Sequence, residues 1–94
     1  MQKIVINDRH GGFALSEEAI AVYKAAHNIT NESFWDKDIS RDDPVLVSIV
    51  ETLGERANNS YSRLKVVEIP DDVEWNIEEY DGREWVAEVH RTWS

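Results

Sequence analysis

Apolar positions recur along this chain with two different periods, and their order predicts a strand, two helices and three further strands. The run Ile4–Ile6 is β-branched and apolar at every position, which indicates a strand buried on both faces. A first helix should begin after Ser16, a good N-cap followed by acidic residues, and should end near His27. The segment 28–43 is polar and irregular. Its expected core anchors are Phe34, Trp35 and Ile39.

A second helix is predicted to start at Pro44, because Asp43 can cap it and a proline at the first helical position loses no hydrogen bond. Gly54 or the pair Asn58–Asn59 should end this helix. A second β-branched strand follows from Leu64 to Ile69. The apolar face of the second helix consists of Leu46, Ile49, Val50 and Leu53, at the spacing of one helical face.

Alternating apolar and polar positions on either side of Asp81–Gly82 predict a β-hairpin between residues 73 and 89. A two-residue Asp-Gly turn would pair Ile77 with Val86 and would place a glutamate on the apolar face. A three-residue loop, Tyr80–Gly82, pairs Ile77 with Trp85 and keeps the apolar residues together. We therefore expect the three-residue loop, with a G1 bulge at the glycine.

These elements fit a single α+β domain that spans residues 1–94. We expect a mixed or antiparallel sheet of about four strands with two helices on one face, in the order β-α-α-β-β-β. No stretch is apolar enough to span a membrane, and the N-terminus is typical of a strand rather than a secretory leader. The lack of cysteine fits a cytoplasmic location. Because the three histidines are scattered, we expect no metal, no cofactor and no catalytic residue.

The net charge of −9 is concentrated near the C-terminus. Residues 1–31 contain three basic and three acidic side chains, whereas residues 68–88 contain nine acidic side chains and one arginine, a net −8. This acidity makes direct nucleic-acid binding unfavourable. The expected hairpin register places like charges opposite each other, so this face should be solvated or should meet a positive partner. The opposed pairs are Glu78 with Glu84 and Glu74 with Glu88.

The loop between the first strand and the first helix, Asp8–Phe13, is the strongest candidate for a ligand site, and we call it the glycine loop. Backbone N–H groups near a helix N-terminus bind anions, and glycines allow an anion to approach closely. The alternative is a tight turn that requires positive φ angles, with its charged side chains in solvent. The candidate ligand-binding residues are Arg9, His10, Gly11, Gly12 and Phe13, with Arg9 contacting phosphate and Phe13 stacking on a base.

A second basic and aromatic cluster, His90–Trp93, lies at the C-terminus. Arginine and tryptophan form a common recognition pair, and Arg91 from a neighbouring subunit would complete the anion site with Trp93 stacking on a base. The alternative is packing of these residues in the core and at a sheet edge. An open edge also allows a homo-oligomer, because an unpaired strand can pair with another copy.

Seven distinctive stretches are spread over nearly the whole chain: Lys3–Asn7, Gly11–Phe13, Leu15–Ala19, Arg41–Pro44, Val67–Trp75, Glu78–Gly82 and His90–Trp93. Together they resemble a family of small proteins encoded by bacteriophages and prophages. The resemblance implies a protein made in a bacterial cytoplasm from phage genes, and it assigns no catalytic or binding residue. Small phage accessory proteins are often inhibitors or sequestering proteins directed against host defence, which is an association rather than a chemical argument.

The sequence supports two main functional hypotheses. In the first, the protein is a non-enzymatic phage accessory protein that sequesters an anionic small molecule, such as a nucleotide signal, as a counter-defence factor. In the second, it is an acidic inhibitor that mimics nucleic acid and covers a basic surface of a host protein with the hairpin carboxylates. A small enzyme acting on nucleotides or nucleic acid is a third hypothesis, which would require a histidine close to two acids.

Overall fold

A computed structural model of the protein describes residues 1–28 and 39–89, and within them the chain forms two helices and four strands. Their order, β-α-α-β-β-β, confirms the predicted α+β fold. The strands pair antiparallel in two two-stranded sheets. The expected core anchors Phe34 and Trp35 lie outside the described residues. The elements are β1 (Gln2–Asn7), α1 (Glu17–Ala26), α2 (Pro44–Leu53), a 3-10 turn (Gly54–Ala57), β2 (Leu64–Ile69), β3 (Trp75–Tyr80) and β4 (Arg83–Glu88).

Both helices begin at the caps that the sequence predicts. The Ser16 hydroxyl accepts a hydrogen bond of 3.1 Å from the Ala19 N–H at the start of α1. The Asp43 carboxylate accepts one of 2.8 Å from the Val45 N–H at the start of α2. These bonds satisfy backbone donors that the first helical turn would otherwise leave without partners. Neither helix is long and apolar enough to cross a membrane.

The strand β1 is buried on both faces, as predicted, because successive side chains of a strand point to opposite sides. Val5 belongs to the core beneath the two helices, whereas Ile4 and Ile6 are buried on the opposite face of the β1–β2 ladder. The expected anchor Ile39 is also buried. The core around Val5 further contains Phe13, Leu15, Ala19, Tyr23, Leu46, Val47, Ile49, Val50, Ala57 and Leu64.

The β3–β4 hairpin turns at Asp81 and Gly82, whose φ angles are 52° and 88°. Two central residues with positive φ define a type I′ turn, for which Asp-Gly is a favoured sequence. Ile77 consequently pairs with Val86. The predicted three-residue loop with a G1 bulge is therefore wrong.

The observed register divides the hairpin into two faces. We call the half-buried one the inner hairpin face and the exposed one the outer hairpin face. The inner hairpin face carries Trp75, Ile77, Glu79, Glu84, Val86 and Glu88, and the outer hairpin face carries Asn76, Glu78, Tyr80, Arg83, Trp85 and Ala87.

The inner hairpin face tolerates its glutamates for two different reasons. Glu84 is 8% exposed and is neutralised by an ion pair with Arg41. Glu88 is exposed and lies opposite Trp75 at the open end of the hairpin, where water still solvates it. The apolar pattern predicts the three-residue loop because burial of an unpaired glutamate is unfavourable. The ion pair with Arg41 neutralises Glu84 and so permits its burial in the two-residue register.

The four carboxylates expected on one hairpin face are divided between two. Glu84 and Glu88 lie on the inner hairpin face, whereas Glu78 lies on the outer hairpin face and Glu74 continues along it at the start of β3. Glu84 is paired with Glu79 across the strands. The predicted pairs Glu78–Glu84 and Glu74–Glu88 are therefore wrong.

Candidate functional site

The glycine loop lies against the turn of the β3–β4 hairpin. A Cβ atom on Gly82 would stand 2.6 Å from the Gly11 nitrogen and closer still to the Gly12 nitrogen. The Gly11 N–H donates to the Asp81 carbonyl oxygen across 3.3 Å. Only residues without a Cβ allow two backbones to approach this closely. Packing against the glycine loop therefore accounts for Gly82. A Cβ on Gly11 would instead meet the Tyr61 carbonyl oxygen at 2.6 Å, and one on Gly12 would meet nothing within 4 Å.

Two other residues of the glycine loop are also engaged within the protein. The His10 ring lies 3.3 Å from the Asp81 carbonyl oxygen and meets the Tyr80 ring edge-on, with 6.4 Å between ring centroids. Phe13 is 4% exposed, and the Arg41 guanidinium lies 3.7 Å from its ring centroid. Phe13 therefore has no open face for a base, contrary to the stacking role expected for it.

The N-terminus of α1 is bonded to the 3-10 turn. Its cap, Ser16, donates its hydroxyl hydrogen to the Arg56 carbonyl oxygen at 2.6 Å and its backbone N–H to the Ala57 carbonyl oxygen at 2.8 Å. These bonds fix the start of the helix on the 3-10 turn.

Arg9 instead lines a groove of about 430 Å³ beside the turn that precedes β2, and we call it the arginine groove. The Arg9 guanidinium donates to the Ser60 carbonyl oxygen at 3.3 Å, and the Arg63 guanidinium donates to the Asp8 carbonyl oxygen at 3.1 Å. Both arginine side chains are exposed, so their other N–H groups can reach a ligand. The lining residues are Arg9, Glu55, Asn58, Asn59, Ser62 and Arg63.

Two asparagines make the arginine groove rich in hydrogen-bond donors. The Asn58 side-chain oxygen accepts from the Leu64 N–H at 2.7 Å, and the Asn59 side-chain oxygen accepts from the Tyr61 N–H at 2.8 Å. Each amide oxygen is therefore used by the backbone. Among the described residues, neither amide nitrogen has a hydrogen-bond partner, so both NH₂ groups can donate to a ligand. Glu55 is the one lining carboxylate, and it would oppose an anion.

Asp8 lies among several cations next to the arginine groove and forms ion pairs with two of them, with Arg83 at 3.1 Å and with Arg63 at 3.8 Å. A hydrogen bond of 3.1 Å from the Arg83 Nε lowers the pKa of this carboxyl, against an opposing effect of burial, and the charges of Arg83, Lys65 and Arg63 lower that pKa further. We call Arg9, Arg63, Lys65 and Arg83 the basic cluster. Its positive charge is local and coexists with the net charge of −9.

Asn7 holds together the chain segments that carry the basic cluster. It is completely buried, and its amide nitrogen donates to the Arg9 carbonyl oxygen at 2.7 Å and to the Gly82 carbonyl oxygen at 2.8 Å. Its amide oxygen accepts from the Arg63 N–H at 2.9 Å. Sequence reasoning treated Asn7 only as the end of a strand. An amide that follows an apolar strand is the one signal that could have pointed to this role.

Glu84 forms a buried ion pair that fastens the hairpin to the rest of the protein. Its carboxylate binds the Arg41 guanidinium through two contacts of 2.5 and 2.9 Å, and it also accepts from the Asn7 N–H at 2.8 Å. The Glu84 side chain is 9% exposed and that of Arg41 is 18% exposed. Glu84 is therefore not accessible to a partner, contrary to the partner-binding role expected for it.

A second titratable cluster joins the two helices. The Tyr23 hydroxyl donates to the Asp43 carboxylate at 2.8 Å, and the His27 Nε2 lies 3.9 Å from the same carboxylate oxygen. Burial and this hydrogen bond raise the pKa of Tyr23 to about 12. Burial alone would raise the pKa of Asp43, but the hydrogen bonds from Tyr23, Val45 and Leu46, together with nearby His27, outweigh it and lower that pKa. Because Asp43 also caps α2, the cluster is accounted for by structure.

The predicted site residues Arg91 and Trp93 lie outside the described residues. Among the described residues, no three His, Asp or Glu side chains converge closely enough to hold a metal ion. Comparisons with protein-family models, curated proteins and solved structures give no match.

Proposed function

We propose that the protein binds and sequesters a small phosphate-bearing anion in the arginine groove. The observation that carries this proposal is the meeting of Arg9 and Arg63 with two asparagine amide donors in one groove of a protein of net charge −9. Like charges that are brought together repel each other, and an anion bound between them relieves that repulsion. Arg9 keeps its expected role as the phosphate contact, whereas Arg63, Asn58 and Asn59 replace the other residues of the glycine loop.

The chemistry of the groove favours a nucleotide-like ligand over bare phosphate. A planar guanidinium can bind phosphate oxygens through two parallel hydrogen bonds. The amide groups of Asn58 and Asn59 can donate to the carbonyl or ring-nitrogen acceptors of a base. Glu55 opposes a second phosphate but accepts from a sugar hydroxyl or an exocyclic amine. A volume of about 430 Å³ lies within the range of small-molecule sites.

Binding without catalysis fits the side chains of the groove. Ser62 is the lining residue with a hydroxyl, and that hydroxyl donates to the Ala14 carbonyl oxygen at 2.7 Å and accepts from the Asn59 N–H at 3.1 Å. None of the described residues that line the groove is a histidine that could activate this hydroxyl. The resemblance to phage proteins supports a counter-defence role in which a nucleotide signal of the host is withdrawn from its receptor.

Isothermal titration calorimetry with inorganic phosphate and a panel of linear and cyclic nucleotides tests this proposal, at protein concentrations above about 100 μM so that weak binding is detected. We expect at least one nucleotide to bind more tightly than phosphate. Arg9→Gln and Arg63→Gln should each weaken that binding at least about tenfold, because each removes a charge-assisted hydrogen bond of about 1.5–3 kcal/mol.

Lys3→Gln is the matched control for these variants. It also removes one exposed positive charge, but Lys3 pairs with Glu51 at the opposite end of β1. Its affinity should stay within about twofold of the unaltered protein, since exposed charges this far apart are largely screened. If no ligand of the panel produces heat, or if Lys3→Gln weakens binding as much as Arg63→Gln, the arginine groove is not the site.

A further inference from the structure

The outer hairpin face exposes two large aromatic side chains. Trp85 is 44% exposed and Tyr80 is 73% exposed, although tryptophan is usually buried. This exposure follows from the type I′ turn, because the three-residue loop would have turned Trp85 onto the same face as Ile77. Directly opposite Trp85 on the neighbouring strand is Glu78. The face therefore combines an aromatic surface with a carboxylate beside it.

The carboxylates of this face have no counter-charge within the described part of the chain. Neither Glu74 nor Glu78 forms an ion pair there, whereas Glu84 on the inner hairpin face is neutralised by Arg41. The single arginine of the hairpin, Arg83, donates its Nε hydrogen to Asp8. The outer hairpin face is thus left negative.

The strand β3 also has an open backbone edge along this face. The Val89 N–H donates to the Glu74 carbonyl oxygen at 2.9 Å, so alternate residues from Glu74 onward direct their backbone groups toward β4. The residues between them direct their N–H and C=O groups away from β4. Within residues 1–28 and 39–89, no strand pairs with that outer edge. The outward-directed residues are Trp75, Ile77 and Glu79.

We propose that the outer edge of β3 binds an extended, basic segment of a partner protein. Adding a strand to an open edge supplies main-chain hydrogen bonds, and the side chains of alternate residues then contact the adjoining face. Lysine or arginine at those alternate positions would lie beside Glu78 and over the ring of Trp85, where an ion pair and a cation–π contact act on the same cation. The charge of the face selects for this chemistry.

A second copy of this chain fits the edge less well. Pairing β3 with another β3 would bring two strands together that each carry Glu78 and Glu79 and no basic residue. Like charges placed opposite each other destabilise a sheet. A basic partner strand avoids this repulsion and neutralises the face. A basic segment of a partner protein is therefore the occupant of the β3 edge in this proposal.

The probe for this proposal is a fluorescein-labelled peptide of alternating lysine and threonine, with a peptide of alternating glutamate and threonine as its control. Fluorescence anisotropy on the full chain should detect binding of the lysine peptide alone. Glu78→Gln and Trp85→Ala should each weaken it at least threefold. The matched control is Glu88→Gln, which removes an exposed charge from the opposite face of the same hairpin and should leave the affinity within about 1.5-fold.

Amide hydrogen exchange followed by NMR supplies a second measurement, because simple charge attraction would not protect backbone amides from exchange. The amides of Trp75, Ile77 and Glu79 should become protected when the lysine peptide is bound. Equal weakening by Glu88→Gln and Glu78→Gln, or binding without new protection, would show only diffuse electrostatic attraction and overturns the proposal. So would the absence of peptide binding, or a Trp85-dependent self-association that makes a second copy the occupant. Arg63→Gln should not affect this binding, so the two proposals fail or stand separately.

Discussion

The contact between the glycine loop and the hairpin turn can be tested by adding one methyl group. Gly82→Ala places a Cβ atom 2.6 Å from the Gly11 nitrogen and 2.9 Å from the Gly11 carbonyl carbon, with the Gly12 nitrogen nearer still. All three atoms belong to the backbone, so no side chain can move aside. We expect the two turns to separate in this variant.

The matched control is Gly12→Ala in the same contact. Gly12 has a φ angle of +98° and Gly82 has one of +88°, so an alanine at either position adopts a similarly unfavourable backbone conformation. A Cβ on Gly12, however, meets nothing within 4 Å. The difference between the two variants therefore isolates the clash from the cost of a positive φ, which is about 1–2 kcal/mol for a residue with a side chain.

The size of the difference follows from the bonds that separation would break. They are the bond from the Gly11 N–H to Asp81 and the bond from the Asn7 amide to the Gly82 carbonyl oxygen, each with a net contribution of about 1 kcal/mol. Gly82→Ala should then lower the free energy of unfolding by about 3–4 kcal/mol, and Gly12→Ala by about 1–2 kcal/mol.

Urea unfolding followed by tryptophan fluorescence measures both values. For slopes of about 1–3 kcal/mol per molar urea, a difference of about 2 kcal/mol moves the midpoint by about 0.7–2 M. If Gly82→Ala and Gly12→Ala lower the midpoint equally, the hairpin turn does not lie on the glycine loop. The structural explanation of Gly82 would then be lost, and a ligand-binding role for the glycine loop would regain support.

Three further predictions concern the ionisable groups. Glu84→Gln should lower the free energy of unfolding by about 2–4 kcal/mol in urea titrations because it leaves Arg41 without its counter-charge, whereas Glu88→Gln should change it by less than about 0.5 kcal/mol. Because its pKa is raised to about 12, Tyr23 contributes stability that is present below pH 10 and lost toward pH 12, and Tyr23→Phe should abolish the tyrosinate absorbance step near pH 12. Because its pKa is lowered, Asp43 contributes stability that is present above about pH 4 and lost as the pH falls below it, so Asp43→Asn should flatten the acid unfolding curve measured by circular dichroism.

The parts of the fold that the sequence predicts correctly are those decided by neighbours along the chain. Ser16 and Asp43 cap their helices through bonds to residues two or three positions away. The run Ile4–Ile6 is buried on both faces because all three of its side chains are apolar. The hairpin register is different, since it depends on Arg41, which lies 43 residues from Glu84. The sequence pattern around Glu84 cannot indicate an ion pair with a residue so far away along the chain.

The residues of the candidate site also differ in whether neighbours along the chain or distant contacts determine their role. The sequence predicts Arg9 as a phosphate contact next to a strand end, and the structure places it on the arginine groove. The glycines beside it were assigned to a ligand, although the atoms that approach them belong to a turn about 70 residues away. Arg63 was not singled out because it joins Arg9 only when β1 and β2 pair, which brings Asp8 and Arg63 together through a backbone bond of 2.7 Å.

The two proposed surfaces have their opposite charges because of one arrangement at the hairpin turn. Docking of Gly82 on the glycine loop brings Arg83 to Asp8, where it reinforces the basic cluster. The same contact places the guanidinium of Arg83, the one arginine of the outer hairpin face, on Asp8 rather than on Glu78. Separation of the turns, as expected in Gly82→Ala, should therefore weaken anion binding in the arginine groove and basic-peptide binding at β3 together. Arg63→Gln should weaken the first alone, and Glu78→Gln should weaken the second alone.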